Sequence, residues 1–202
     1  MAVRAGRRPG TTEQRICDAA EKLLQQVRAA DLTVEEILGE AEISRRTFYS
    51  YFASKYAVIS SLALRTLAQA YSQQEPFFAG ATRAKQRAAL EAGISRACAV
   101  WAEHRAVLSA VIEHWRDVPE LREIWLGVID RFTDDMAAQI DLQRAAGAAP
   151  AGVDSHRIAQ TLIWSGAYTI YLAGLPESTH IPDERSVVEM LVNGWAAAVY
   201  QR

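Results

Sequence analysis

The chain has 202 residues and a formal net charge of -2; half of its residues are hydrophobic and 23% are charged. This composition is ordinary for a globular protein with a sizeable core, and it argues against a polybasic nucleic-acid coat. No apolar run approaches the roughly 20 residues that span a bilayer, and none follows the basic N-terminus as a signal peptide requires. The sequence therefore predicts a cytoplasmic protein.

Residues 1–10 are predicted to form a flexible arm. Its basic residues Arg4, Arg7 and Arg8 are suited to following a DNA backbone or entering a minor groove. A solubilising tail explains the same composition equally well. The first 60 residues carry a slight excess of basic over acidic side chains, whereas the remainder is mildly acidic. Positive charge is therefore local, as a specific DNA reader needs.

The stretch 33–55 predicts two short helices joined by a tight turn at Glu42 and Ile43. Thr33 can cap the first helix, because its hydroxyl can accept a backbone N–H of the first turn. The Glu36 side chain can accept the backbone N–H of Thr33 in turn, and the two bonds make a capping box. An earlier helix is predicted to pack behind the pair, because two short helices alone bury too little surface. Its apolar stripe comprises Ile16, Ala20, Leu23, Leu24 and Val27.

The second helix of the pair is predicted to begin at Arg45, after the N-cap Ser44, and to end at about Phe52. Phe48 and Phe52 lie four residues apart, so they share the buried face. The opposite face carries arginines, hydroxyls and phenols without an acidic residue, which suits the DNA major groove. Arg45 and Arg46 are predicted to reach base edges. The full predicted DNA-binding set is Thr33, Ser44, Arg45, Arg46, Thr47, Tyr49, Ser50, Tyr51 and Lys55.

The run ISRRTFYSYFASKYAVI at 43–59 resembles the signature of the TetR family of one-component bacterial regulators. The matching residues are Ile43, Ser44, Thr47, Phe48, Tyr49, Phe52, Ser54 and Lys55. Glu42 departs from that pattern, which usually has glycine at the turn. Beyond this first quarter of the chain, the order of helices and the Gly-Ala-Ala-Pro turn at 147–150 resemble the EthR branch of the family. The resemblance implies a ligand-responsive DNA-binding regulator, most often a repressor, whose C-terminal helices form a homodimer.

Helical periodicity without strand patterns predicts an all-α fold. A helix-turn-helix head at 1–55 is predicted to continue into a ligand-binding and dimerisation domain at 56–202. The connecting helix, 54–74, joins them without a flexible linker, and Pro76 and Gly80 mark the break after it. Everything from Thr82 onward is predicted to be helical, beginning with an alanine-rich stretch at 88–103. Further helices are predicted at 107–115, from the cap Asp117 to about 146, from a cap at Asp154 or Ser155 to about 173, and from Asp183 onward.

The helix that ends at about 173 is apolar on nearly all sides, which predicts its burial on more than one side. In a monomer, the outer faces of this helix and of the last helix would leave a large apolar patch exposed, so the sequence predicts a homodimer with a four-helix interface. Gly166 and Gly174 are predicted to allow close approach of the helices.

All five tryptophans follow residue 100, and several share helical faces with other large apolar residues. An ordinary core explains any single one of them, but together they predict a cavity. Trp125, Ile129, Phe132 and Met136 form one such apolar stripe, and the TetR resemblance implies that Trp101, Trp125, Phe132, Ile163, Gly166 and Trp195 line the cavity. Together these eight residues are the predicted lining. The resemblance implies polar amide side chains where Ile163 and Gly166 stand. Their absence predicts a small hydrophobic or aromatic effector with few polar groups, and no cofactor is predicted.

An enzyme and an adaptor bundle are the competing classes. The histidines are scattered, and the sequence lacks a His-Glu-x-x-His motif, a phosphate loop and a nucleophile elbow. Glu113, His114 and Asp117 form the one local cluster of metal-ligand types. A helical adaptor explains the core but leaves the cationic helix face unexplained. The sequence therefore favours the regulator over both.

Overall fold

The computed structural model describes residues 11–72, 77–78, 82–175 and 183–200. Within these ranges the chain forms nine α-helices and no strand, which confirms the predicted all-α fold. The helices are α1 (Thr12–Leu24), α2 (Val34–Ala41), α3 (Arg45–Tyr51), α4 (Lys55–Ser72), α5 (Arg83–Glu103), α6 (Arg105–His114), α7 (Pro119–Ala145), α8 (Ser155–Ala173) and α9 (Glu184–Tyr200). The predicted arm at 1–10 and the predicted break at Pro76 and Gly80 lie outside the described residues. None of the described helices has the length and apolarity to cross a bilayer.

Helices α1–α3 form the N-terminal head, and their first turns are capped as the sequence predicts. Thr11 caps α1 through its hydroxyl. The backbone N–H of Glu36 donates to the Thr33 hydroxyl at 3.2 Å, and the Glu36 carboxylate accepts from the Thr33 N–H at 2.8 Å. This reciprocal pair confirms the capping box. Ser44 caps α3 in the same way.

The turn between α2 and α3 contains a strained residue. Glu42 adopts the left-handed conformation, with φ 52° and ψ 51°, which costs a non-glycine residue roughly 1–2 kcal/mol. The guanidinium of Arg15 on α1 donates to the carbonyl oxygens of Ala41 at 2.5 Å and of Glu42 at 3.2 Å. Arg15 therefore supports the end of α2, where helix carbonyls lack internal partners.

Replacing Glu42 with glycine is expected to raise the free energy of unfolding by about 0.5–1 kcal/mol. Glycine removes the left-handed penalty, and its greater freedom in the unfolded chain offsets part of that gain. Urea unfolding of the purified protein measures the change. Glu42→Ala is the matched control, since it removes the same carboxylate but keeps the Cβ. An equal gain in both variants would show that the charge, not the backbone, strains the turn.

Helix α4 belongs to both parts of the molecule. The Ser54 hydroxyl accepts the N–H of Ala57 at 3.1 Å and so caps its first turn, as predicted. Along its length α4 packs against α1 of the head and against α6 and α7 of the body. A displacement of α6 or α7 therefore acts directly on the helix that carries the head.

One predicted helix start in the body is confirmed and one is wrong. Helix α5 begins at Arg83, directly after Thr82, which caps it by accepting the N–H of Lys85. Asp117 does not cap α7. Its N–H and that of Val118 both donate to the carbonyl of His114, so Asp117 lies in the turn that closes α6. Val118 takes the cap position instead and Pro119 stands in the first turn, where its missing N–H costs nothing.

The body is built from α5, α7, α8 and α9, with α7 against α8 and α9 against both α5 and α8. The predicted large apolar patch on α8 and α9 is smaller than expected. Among the described residues of these two helices, Leu172 and Met190 are the large hydrophobic side chains that are exposed. The neighbouring outward positions are small or polar, including Gly194, which has no atom within 4 Å of an ideal Cβ.

Gly166 and Gly174 were predicted to allow close helix approach in a dimer, and the structure gives both of them neighbours within the protomer. A Cβ on Gly166 would lie 2.6 Å from Cζ2 of Trp195. Gly174 lies against Arg105, whose guanidinium donates to the Gly174 carbonyl at 2.7 Å. Gly166 therefore allows the close approach of α9 to α8 within one protomer.

Candidate functional site

Helix α3 is held on the head by aromatic packing and turns its polar face to solvent. Phe48 is fully buried, and its ring centroid lies 6.2 Å from that of Phe52. Tyr49 meets Phe48 edge-on at 5.3 Å yet remains half exposed, as does Tyr51. The two phenylalanines thus fix the helix, and the phenols, arginines and hydroxyls project from it.

Hydrogen bonds within the head already hold several hydroxyl groups of the predicted DNA-binding set in place. The hydroxyl oxygens of Ser44 and Thr47 lie 2.8 Å apart, and the Ser50 hydroxyl donates to the Thr47 carbonyl at 2.6 Å. The Thr33 hydroxyl donates to the Glu36 carboxylate at 2.7 Å. These local bonds fix the side-chain rotamers, and each hydroxyl oxygen keeps a lone pair or a proton for a further partner.

The two arginines at the start of α3 are not equivalent. Arg45 forms an ion pair with Glu35 on α2, and both side chains are more than half exposed. Arg46 is exposed and has no ion-pair partner among the described residues. Exposed ion pairs contribute roughly 0–1 kcal/mol, so Arg45 can exchange Glu35 for another partner at little cost.

Lys55, a member of the predicted DNA-binding set, bonds the protein's own backbone. Its ammonium donates to the carbonyl oxygens of Ala30 at 2.8 Å and Leu32 at 2.7 Å, and burial lowers its pKa. It therefore ties the loop before α2 to the first turn of α4. Neither this role nor that of Arg15 has a sequence signal, because their partners lie more than 20 residues away.

A cavity of about 280 Å³ opens between α5, α7, α8 and α9, near the lower limit of volumes typical of small-molecule pockets. Its wall is mostly apolar and includes Trp101, Trp125, Ile129, Phe132, Ile163, Gly166 and Trp195 from the predicted set. Met136, also predicted, is fully buried and does not line it. The apolar stripe of α7 runs along most of the helix, but the cavity adjoins only the part up to Phe132. Met136 therefore belongs to the core.

Arg96 is a cavity residue that the sequence analysis missed. It lines the wall from α5, and its Nε is buried with no hydrogen-bond partner among the described residues. The indole N–H groups of Trp125 and Trp195 are likewise buried and unpaired. No sequence signal distinguishes Arg96 from the other basic residues of α5.

A chain of contacts leads from the cavity wall to the head. The ring of Trp101 lies 6.1 Å from that of Tyr171, whose hydroxyl donates to the Glu113 carboxylate at 3.1 Å. The other Glu113 oxygen lies 3.5 Å from the guanidinium of Arg28, in the loop after α1. Burial and the bond to Glu113 raise the pKa of Tyr171 to about 12, so the phenol keeps its proton.

Glu113 and His114, two members of the cluster of metal-ligand types, contact other residues of the protein. Glu113 bonds Tyr171 and Arg28, and the His114 ring packs against Tyr56 at 5.5 Å. Within the described ranges no group of three or more His, Cys, Asp or Glu side chains could hold a metal ion. A helix-turn-helix head with a cationic outer face, joined rigidly to a helical body with an apolar cavity, defines a ligand-binding DNA regulator.

Comparisons with known proteins agree with that class. Residues 16–62 match the family model "Bacterial regulatory proteins, tetR family", and residues 90–201 match "Transcriptional regulator EthR, C-terminal domain". The chain is 30% identical over 188 residues to the HTH-type transcriptional regulator EthR of Mycobacterium tuberculosis, covering 93% of this chain and 87% of the relative. The EthR of Mycolicibacterium smegmatis is also 30% identical, over 93% of this chain and 86% of its own.

Solved structures share the fold at lower identity. Salmonella enterica GusR superposes with a TM-score of 0.72 at 19% identity, covering 96% of this chain and 97% of its own. SmeT, the repressor of the Stenotrophomonas maltophilia multidrug efflux pump SmeDEF, superposes with a TM-score of 0.70 at 19% identity, covering 93% of this chain and 89% of its own. The chain belongs to the TetR family of transcriptional regulators, in the EthR branch. It is a DNA-binding regulator and not an enzyme.

Proposed function

We propose that the protein is a homodimeric repressor that binds a near-palindromic operator through α3 of each protomer and leaves it when a small ligand enters the cavity. The observation that carries this proposal is the outer face of α3. It combines Arg45, Arg46, Tyr49 and Tyr51 on a helix fixed by buried phenylalanines. A rigid helix with donors at its N-terminal end is suited to reading base edges in a major groove.

Dimerisation through α8 and α9 is supported by the chemistry of their outer faces. Leu172 and Met190 are exposed on these two helices, and Gly194 leaves room for a close neighbour. Two heads related by a two-fold axis recognise two equivalent half-sites. Their centres should lie about 34 Å apart, or a multiple of that, because only such spacing returns the major groove to the same side.

Repression and release are supported by the cavity and its connections. The named relative SmeT is a repressor, and the cavity here has an apolar wall of a kind that holds small hydrophobic molecules. Helix α4 and the contacts among Tyr171, Glu113 and Arg28 join the body to the head. A ligand that binds the DNA-incompetent arrangement more tightly must weaken DNA binding by the same factor.

Footprinting on the promoter DNA beside the protein's own gene tests the proposal. We expect protection of a near-palindrome, with one dimer spanning two half-sites in the simplest case. The Arg46→Ala protein is the control, since it keeps the fold but lacks an α3 contact. Protection of one short asymmetric site per dimer would contradict the two-fold arrangement.

A further inference from the structure

The polar atoms that the cavity leaves unpaired are all donors. Arg96 Nε, Trp125 Nε1 and Trp195 Nε1 are buried, belong to residues of the wall, and have no acceptor among the described residues. An unmade hydrogen bond at a buried donor is costly. Arg96 as a whole is half-buried, and the part of its guanidinium that is buried without a partner is Nε. Such donors are therefore expected to find an acceptor when the cavity is filled.

Within the described part of the chain, no carboxylate forms an ion pair with Arg96. Glu103, two turns further along α5, is the one carboxylate among the lining residues, and its side chain is 76% exposed. The contact it makes is with His104, at 3.8 Å, and no ion pair joins it to Arg96 among the described residues. The wall thus presents a cation on one side and aromatic and aliphatic surface elsewhere.

From this arrangement we infer that the cavity binds a compact organic carboxylate, with the carboxylate on the Arg96 guanidinium and the hydrocarbon part among Trp101, Trp125 and Phe132. Arginine presents its donors in a fork that matches both oxygens of a carboxylate. The apolar wall supplies the remaining affinity by removing the hydrocarbon part from water. This inference rests on the proposed ligand-responsive function. It narrows the predicted hydrophobic or aromatic effector with few polar groups to one that carries a carboxylate.

The experiment compares acids with the alcohols of the same skeleton, using octanoate with 1-octanol and 4-phenylbutyrate with 4-phenylbutanol. Binding to the full-length dimer is followed by calorimetry and by quenching of tryptophan fluorescence. The aliphatic and aromatic pairs show which hydrocarbon skeleton fits. We expect the better-fitting acid to bind about tenfold or more tightly than its alcohol, because a charge-assisted bond forms only with the acid.

Arg96→Gln tests the residue directly. This variant should lose about tenfold or more in affinity for the acid while its affinity for the alcohol changes less than about twofold. Arg87→Gln is the matched control. It removes the same charge from the same helix, but Arg87 lies outside the cavity lining and bonds Asn193, so acid binding should persist. If Arg96→Gln fails to fold, the comparison of acid with alcohol in the unaltered protein still tests whether the cavity prefers a carboxylate.

The outcomes separate the inference from the proposed function. Equal affinity for acid and alcohol, with both releasing promoter DNA, overturns the carboxylate site and leaves the proposed function standing. Acid binding that survives Arg96→Gln, or no binding of either acid at millimolar concentration, also overturns the site. Acid binding that depends on Arg96 but leaves DNA affinity unchanged supports the site and contradicts ligand-induced release.

Discussion

Replacing Arg46 with alanine is expected to reduce affinity for the operator by about 5- to 150-fold, or roughly 1–3 kcal/mol. The side chain is exposed at the start of α3 and has no ion-pair partner among the described residues. Its guanidinium therefore loses no protein contact on reaching a base edge. Arg45→Ala should act in the same direction, with a smaller loss because Arg45 must first leave Glu35.

The measurement is fluorescence anisotropy on two duplexes of equal length, the footprinted operator and a scrambled sequence. A base-reading arginine should lose far more affinity on the operator than on scrambled DNA, because base contacts specify and phosphate contacts only position the protein. Equal losses on both duplexes would contradict base reading by Arg46.

Lys55→Met is the informative comparison for Arg46→Ala. Since its ammonium bonds the carbonyls of Ala30 and Leu32, removing it should lower the free energy of unfolding by roughly 1–3 kcal/mol. Any loss of DNA affinity should be equal on operator and scrambled DNA. Lys22→Met serves as the reference for charge alone, because Lys22 forms an exposed pair with Glu40 and should cost less than about 1 kcal/mol.

The parts of the head that were predictable depend on short-range chemistry. The capping box of Thr33 and Glu36 and the cap at Ser44 are formed by residues three apart, so the sequence displays both partners together. Arg15 and Lys55 bond backbone carbonyls that any residue could provide, at distances of more than 20 residues along the chain. Nothing in the sequence distinguishes such partners from other residues.

The cavity was predictable as a region but not in its details. The apolar periodicity of α7 and the family resemblance together identified seven of its lining positions, which lie on α5, α7, α8 and α9. The same periodicity continues into solid core, which is why Met136 was wrongly included. Arg96 was missed because helical periodicity locates apolar faces and gives no sign that a charged side chain shares one.

The Gly166→Ala substitution should displace Trp195 and weaken operator binding. The added Cβ would lie 2.6 Å from Cζ2 of the indole, closer than packed carbon atoms approach. The indole is rigid, and it already meets Phe77 at 5.8 Å, so it must shift within the cavity or push α9 from α8. Overpacking of this kind costs about 1–3 kcal/mol, against a gain of up to about 1 kcal/mol from removing glycine from a helix.

Gly127→Ala is the control for the stability gained by replacing a helical glycine with alanine. Gly127 is exposed on α7 and has no atom within 4 Å of an ideal Cβ. This variant should raise the free energy of unfolding by up to about 1 kcal/mol and leave both DNA and ligand binding unchanged. The difference between the two alanine variants then isolates the contact between α8 and α9.

Helix α8 is connected to the DNA-binding head by two sets of contacts, so a strain on α8 is expected to change DNA affinity. Tyr171 lies on α8 and bonds Glu113, which contacts Arg28 of the head, while α7, which packs against α8, also packs against α4. A strained contact at Gly166 favours whichever arrangement relieves it, as a bound ligand would. If that arrangement separates the heads, operator affinity should fall by the roughly 5- to 150-fold typical of coupled sites.

A second substitution tests whether the effect passes through the indole. Trp195→Leu removes the ring that meets the new methyl group, so the double variant should recover most of the operator affinity lost by Gly166→Ala. Unfolding in urea and anisotropy on the operator complete the double-mutant cycle, in which contacting residues show a coupling of about 0.5–3 kcal/mol. Additive effects would mean that the two positions act independently. Unchanged DNA affinity in a stable, dimeric Gly166→Ala protein would mean that the contact between α8 and α9 does not control the heads.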